Sequence, residues 1–304
     1  MSVTIYAKKG DYFSFFNSPY YSHVNASAVD IYPREGNSET VALSPVDGII
    51  SKVYEFKSPR PKQFKAAETD QLILVTPKEN HNVYVRLLHI DCALQVGASI
   101  SVGDFLGTLI RSGFFDFWTS QHIHIEVRQI KEFLRAKGGY PIEPINSNQN
   151  TERHQLGGIS TVKVRKSNEN YALIEVKEGL SKIGSFWGLE CKVKDVSGIL
   201  DCGTPHYCHG GIHTTDTGSA KVGDKIYVWN TAIGVVTEVL RNLIRFKCTP
   251  LSIYANGFSA KGLSLYSQFE ETKIIKLIPR FPSDLNLKTG EDVCLKLVIE
   301  EINT

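Results

Sequence analysis

Short apolar stretches bounded by turn residues recur along the chain: VALSPVDGIISKVYEF, QLILVTP, NVYVRLLHI, ISVGDFLGTLI and HIHIEVRQI. Runs this short, separated by Gly, Pro, Asp and Asn, predict strands and hairpins. The segment 130–137, IKEFLRAK, is different: its apolar residues fall at helical spacing and Gly138-Gly139 offer a stop, so it predicts a short helix. From Tyr140 to Gly158 the sequence YPIEPINSNQNTERHQLGG is rich in proline, asparagine and glycine, and predicts a linker. Strands then resume with STVKVRK, YALIEVKE, KIYVWN, IGVVTEVL, LIRFKC and DVCLKLVIEEI. The pattern predicts a mainly β chain of two domains, 1–150 and 151–304, the second a small β-barrel or sandwich. SVGDFLGTLI is echoed by KVGDKIYVWNTAIGVV, a turn followed by a strand in both places.

Composition narrows the partners. The chain has 304 residues, enough to bury two cores, and is 42% hydrophobic and 22% charged, as globular proteins are. Its 34 basic and 32 acidic residues leave a net charge of +2, which gives no broad field for nucleic acid or an anionic membrane. Neither is expected as a partner, and no residue pattern specifies an oligomeric state. MSVTIYAKKGDYFSFF lacks the apolar core and cleavage site of a secretory leader, and no run of eighteen apolar residues occurs, so a cytoplasmic location is expected. Six scattered cysteines read as reduced thiols rather than a disulfide framework.

Three stretches carry candidate chemistry. In HIHIEVR, strand alternation puts His122, His124 and Glu126 on one face and Ile123, Ile125 and Val127 on the other. In AVDIY, Asp30 is an acid inside an apolar strand and needs a partner; a salt bridge would serve, and so would a cation shared with His23 upstream. In NVYVRLLHID, an apolar strand face ends in His89.

The order of these pieces resembles the lysostaphin/LytM-type zinc metallopeptidases, a duplicated-hybrid-motif family. The resemblance covers residues 11–130 and includes His23 to Asp30, Leu88-His89-Ile90, the turn Gly103-Asp104-Phe105-Leu106-Gly107, and His122 to Glu126. It implies an antiparallel peptidase domain in which His23, Asp30 and His124 bind zinc and His89 and His122 are catalytic. The implied activity is hydrolysis of a peptide or peptide-like amide by a zinc-activated water, and the implied partner is a peptide substrate. Two imidazoles and a carboxylate form a known catalytic zinc set with a position left open. Two departures stand out. Six residues separate His23 from Asp30 where the family has three, which makes Asn25 and Ser27 substitute ligand candidates. Phe114, Phe115, Phe117 and Trp118 precede the histidine pair where the family has small residues, and they crowd the approach.

Other readings follow from the same residues. A peptidase-like domain closed by those aromatics would be a binding protein rather than an enzyme. A carrier of the sugar-phosphotransferase type, with His89 accepting phosphate, is suggested more weakly by SPVDGIISKV and the later Val-Gly-Asp. DCGTPHYCHGGIH gathers Cys202, His206, Cys208, His209 and His213, soft ligands that permit a second metal, although a Gly-rich loop with reduced thiols is the plainer reading.

Overall fold

The computed structural model describes residues 2–33, 40–144, 151–153, 160–176, 178–269 and 274–300. The chain forms two compact units, residues 1–15 with 20–143 and residues 16–19 with 144–304. Among the described residues their regular structure is almost wholly antiparallel strand, so the chain is mainly β. No described helix is long and apolar enough to cross a membrane.

The first unit contains β1 (Tyr12–Ser14), α1 (Tyr21–Val24), β2 (Ala28–Tyr32), β3 (Val41–Leu43), β4 (Gly48–Lys57) and β5 (Thr69–Pro77). They are followed by β6 (Val83–Leu88), β7 (Ile90–Cys92), β8 (Ser99–Ile100), β9 (Phe105–Leu109) and β10 (Ile123–Gln129). Pairing runs β1-β2-β10-β6-β5-β4-β8 in one antiparallel sheet, and β3-β9-β7 in a second. Strand β5 is apolar on both faces, and β6 and β10 on one: Ile73, Leu74, Val75, Val85, Leu87 and Ile125 are fully buried. Each contributes about 1.5–3 kcal/mol by leaving water, so the middle of this sheet is the rigid floor on which β10 sits.

Residues 130–137 depart from the expected helix. Only Ile130–Glu132 form a turn of 3-10 helix. The carbonyls that would continue it are taken by arginines from the sheet: Arg86 donates to Phe133 O and Arg135 O, and Arg128 to Ala136 O and Lys137 O. A side-chain donor on a carbonyl competes with the helical ladder, and two glycines follow at once.

The second unit holds β11 (Thr151–Arg153), β12 (Ser160–Ser167), β13 (Ala172–Glu175), β14 (Leu180–Ile183), β15 (Phe186–Val193), β16 (Val196–Thr204) and β17 (His209–His213). Then come β18 (Lys225–Val228), β19 (Thr231–Val239), β20 (Leu243–Cys248), β21 (Leu251–Ala255), β22 (Phe258–Leu265), β23 (Ser267–Gln268), β24 (Ile274–Pro279) and β25 (Asp292–Ile299). Strands β15-β16-β17-β20-β19-β18 close on themselves through Lys192↔Tyr227 as a six-stranded antiparallel barrel. Strands β22-β24-β13-β12-β25-β21 close a second ring, joined to the first through β16 and β22. Closure removes exposed strand edges. The expected Gly-rich loop at 202–213 is largely β16 and β17 with a turn between them. The glycines serve packing there: a Cβ at Gly210 would lie 2.4 Å from Cys202 Cβ and from the Phe246 ring.

The repeated turn is a shared device. Asp104, Asp224 and Glu291 each accept the backbone N–H three residues earlier, at 2.7, 2.7 and 2.9 Å. The intervening Gly103, Gly223 and Gly290 have φ of 89°, 93° and 88°, which side chains rarely adopt.

Candidate metal centre

The centre is assembled across the middle of the first sheet. Register places His124 of β10 directly opposite Asp30 of β2 on one side and Leu88 of β6 on the other. His89 follows at the end of β6 with φ of 69°, a left-handed turn that carries the chain out of one sheet and into β7 of the other. His23 arrives from α1, a single turn. After it the chain reverses through Ala26 at φ 52°, and Ser27 N returns to Ser22 O at 2.8 Å. That reversal absorbs the long spacing between His23 and Asp30. Asn25 and Ser27, the substitute candidates, give their side chains to Tyr21 O and Ser22 O instead.

Three atoms converge. His23 Nε2 lies 3.3 Å from Asp30 Oδ1 and 3.1 Å from His124 Nδ1, and His124 Nδ1 lies 2.9 Å from Asp30 Oδ1. All three residues are buried. Among the described residues, they form the only group of three or more potential ligands close enough to share an ion. The cysteines and histidines of 202–213 are not brought together in that way.

The hydrogen bonds behind the ligands set their tautomers. His23 Nδ1 is 2.8 Å from Phe15 O, and a carbonyl only accepts, so Nδ1 carries the proton and Nε2 is bare. His124 Nε2 is 2.9 Å from Glu126 Oε1, so it donates and leaves Nδ1 bare. Two lone pairs and a carboxylate oxygen therefore face each other in a buried space, an arrangement that requires a cation or an added proton. Burial would raise the Asp30 pKa, but His122, His23 and the His124 hydrogen bond hold it well below the carboxylate range. Burial would lower the His124 pKa, yet the bonds to Asp30 and Glu126 lift it to about 9. With no metal, a proton on His124 fills the gap.

Ligand separations of 2.9–3.3 Å suit a small tetrahedral ion, since bonds of about 2.0–2.1 Å put ligand atoms about 3.3 Å apart. Behind them, Glu126 is pinned by Arg128, whose Nε donates to Oε2 at 2.5 Å and whose second nitrogen also contacts it. Burial would raise Glu126, but His124 first and then Arg86 and Arg128 bring it down to about 2. A carboxylate behind a ligating imidazole is the usual second layer of a metal site.

His122 and His89 stand beside this triad. His122 Nδ1 lies 2.8 Å from Ser120 O, so Nδ1–H donates and Nε2 is bare, 3.4 Å from Asp30 Oδ2. Burial pushes His122 down to about 3, which keeps it neutral. The rings of His122 and His89 are 5.3 Å apart. Phe115 covers both: it stacks on His122 at 4.6 Å and meets His89 edge-on at 4.7 Å. Phe117 and Trp118 are buried as well. The loop bearing them is fastened by Arg111, which donates to Phe117 O and Thr119 O, and by Gly113 N on Ser58 Oγ at 2.7 Å.

Sequence reasoning did not pick out Asp70 or Arg128. Asp70 Oδ2 lies 2.6 Å from His89 Nδ1 and accepts the Ser112 hydroxyl at 2.6 Å. Its signal matches that of Asp30, an acid inside an apolar strand, TDQLILV. Arg128 shares the strand face of His124 and Glu126.

Comparison with known proteins extends over both units. Residues 3–144 match the family model "Domain of unknown function (DUF8155) N-terminal domain", and residues 157–298 match its "C-terminal domain". Both halves of the chain match DUF8155. His23, Asp30 and His124, the candidate ligands, fall within the N-terminal match, as do His89 and His122. No curated protein matches the chain. The NMR solution structure of lysostaphin is similar at 14% identity over 73% of this chain and 86% of that one, with a TM-score of 0.23. At that score the likeness carries no inference about this chain.

Proposed function

We propose that the DUF8155 N-terminal domain is a zinc-dependent hydrolase of a peptide or peptide-like amide. The observation that carries this reading is the convergence of His23 Nε2, Asp30 Oδ1 and His124 Nδ1, three atoms that need a cation or a shared proton between them, next to the bare Nε2 of His122. Two imidazoles and one carboxylate are a donor set suited to zinc. Bound there, zinc would supply a Lewis acid that polarises a carbonyl and makes a water acidic enough to attack it. The remaining chemistry belongs to the chain. Asp30 keeps one oxygen on the ligand side while its other faces Tyr32 Oη and His122. His122 and His89 are the two groups placed to accept a proton from an attacking water and to return one to the leaving amine. Burial of His89, His122 and His124 keeps bulk water away from that exchange.

One observation favours a second reading, a metal-holding domain that binds without cleaving. Phe115 lies on both histidines that would handle the proton. The test is elemental analysis of full-length protein prepared without chelator or affinity metal, followed by incubation with a mixed peptide library. Stoichiometric zinc with cleavage supports the hydrolase; stoichiometric zinc with no cleavage, in the wild type and in Phe115→Ala alike, supports the binding protein; absence of zinc removes both.

A further inference from the structure

The two histidines beside the triad are held differently. His122 gives its Nδ1 proton to a peptide carbonyl, Ser120 O. His89 is backed by a fully buried carboxylate: Asp70 Oδ2 sits 2.6 Å from its Nδ1. Asp70 is itself fixed on both oxygens. Oδ2 also accepts from Ser112 Oγ at 2.6 Å, and Oδ1 accepts from Gln71 N at 2.7 Å. Burial would raise the Asp70 pKa, but the His89 hydrogen bond and charge, with Ser112 and Gln71 N, lower it, so it is an anion that only accepts. An ionised carboxylate has no proton to donate, so His89 Nδ1 must carry the shared proton.

We propose that Asp70 is the positioning residue for His89: it holds the ring as the Nδ1–H tautomer, leaves Nε2 bare for the proton transferred in hydrolysis, and balances the charge when that proton arrives. Two observations separate this from a purely structural ion pair. His89 stands at φ 69°, off the strand geometry, so the alternation of β6 does not aim its ring and the bond to Asp70 does. And Ser112 Oγ, which holds Asp70, also accepts from Phe114 N at 3.2 Å, at the start of the loop that brings Phe115 onto the His89 ring. The orientation of His89 and the position of the covering loop are thus set from one point. In the trypsin-type triad a buried Asp fixes the tautomer of its histidine in this way, and the Asn variant selects the wrong tautomer. The inference rests on the hydrolase reading for its chemical purpose, but the tautomer is a property of the protein without substrate.

The experiment is long-range 1H–15N correlation spectroscopy of zinc-loaded, 15N-histidine-labelled full-length protein, with the His89 signals assigned by their absence in His89→Gln. The expected result is an Nδ1-protonated, Nε2-bare His89 with a far-downfield Nδ1 proton. Asp70→Asn, whose amide can donate to Nδ1, should switch His89 to the Nε2–H tautomer while zinc content stays unchanged. Against any peptide the wild type cleaves, kcat should fall roughly a hundredfold or more with KM held. An Nε2–H His89 in the wild type overturns the proposal, as does an unchanged tautomer in Asp70→Asn. If that variant does not fold, the wild-type spectrum decides alone. A switched tautomer with kcat within threefold of wild type overturns the catalytic role while leaving the metal centre standing. A protein that cleaves nothing but shows the tautomer switch counts against the hydrolase reading and not against the Asp70–His89 pair.

Discussion

Replacing Phe115 by alanine tests whether the aromatic loop closes the centre. The ring is 8% exposed, stacked 4.6 Å from His122 and edge-on 4.7 Å from His89. Loss of a buried Phe side chain costs about 3–5 kcal/mol when the cavity stays closed. Here the space borders polar imidazoles that water can solvate, so the cost falls below that range, at about 2–3 kcal/mol. Part of that is two ring contacts of about 0.5–1.5 kcal/mol each. For a domain of this size the unfolding midpoint should fall by roughly 5–10 °C. Zinc content should not change, because Phe115 offers no ligand atom and its ring contacts are with His89 and His122. The histidines should become reachable: carbethoxylation of His89 and His122, followed by peptide mass mapping, should be several times faster than in the wild type, and peptide cleavage should rise. A variant as stable as the wild type, with unchanged modification rates at both histidines, would refute the closure.

Three further outcomes follow from the same geometry. Because the His124 pKa stands near 9 without metal, the apo ring carries an extra proton at all lower pH values; zinc must displace it, and calorimetry at pH 7 in buffers of different ionisation enthalpy should show about one proton released per zinc. Apparent zinc affinity then weakens as pH falls, and an affinity flat between pH 6 and 8 would exclude that proton. Glu126→Gln should weaken zinc binding roughly 10–100-fold, since the amide no longer fixes the His124 tautomer and leaves Arg128 without its anion; competition with a chromogenic chelator measures it. Among the thiols, exposed Cys208 and Cys294 should react with an aromatic disulfide reagent in the native protein, while buried Cys191 and Cys202, whose pKa values burial raises, should react only on unfolding; equal rates at all four would show a looser second domain.

Much of the site was legible because strand alternation is a strict code. HIHIEVR could face its histidines only one way once Ile123 and Ile125 entered the core, and AVDIY likewise delivered Asp30. What alternation could not show was anything that leaves the strand. His23 sits on a one-turn helix whose reversal depends on Ala26 at positive φ, and His89 lies at a similar turn, so neither ring direction follows from periodicity. Asp70 meets His89 across 19 residues and Ser112 meets Asp70 across 42, distances over which a single sequence carries no pairing signal. The helix expected at 130–137 failed for a related reason: its carbonyls go to Arg86 and Arg128 on β6 and β10, and local spacing says nothing of donors arriving from elsewhere. In the second domain turns and strands were readable, but closure into two rings depends on long-range pairs such as Lys192↔Tyr227.

The most direct test of the metal centre is the metal content of the wild type and of five single variants, measured by elemental analysis on protein purified without chelator. The wild type should hold one zinc per chain, His23→Ala, Asp30→Ala and His124→Ala should hold little or none, and His89→Ala and His122→Ala should keep it. Full zinc in His124→Ala, or zinc lost from His122→Ala in a folded protein, would contradict the assignment of the triad.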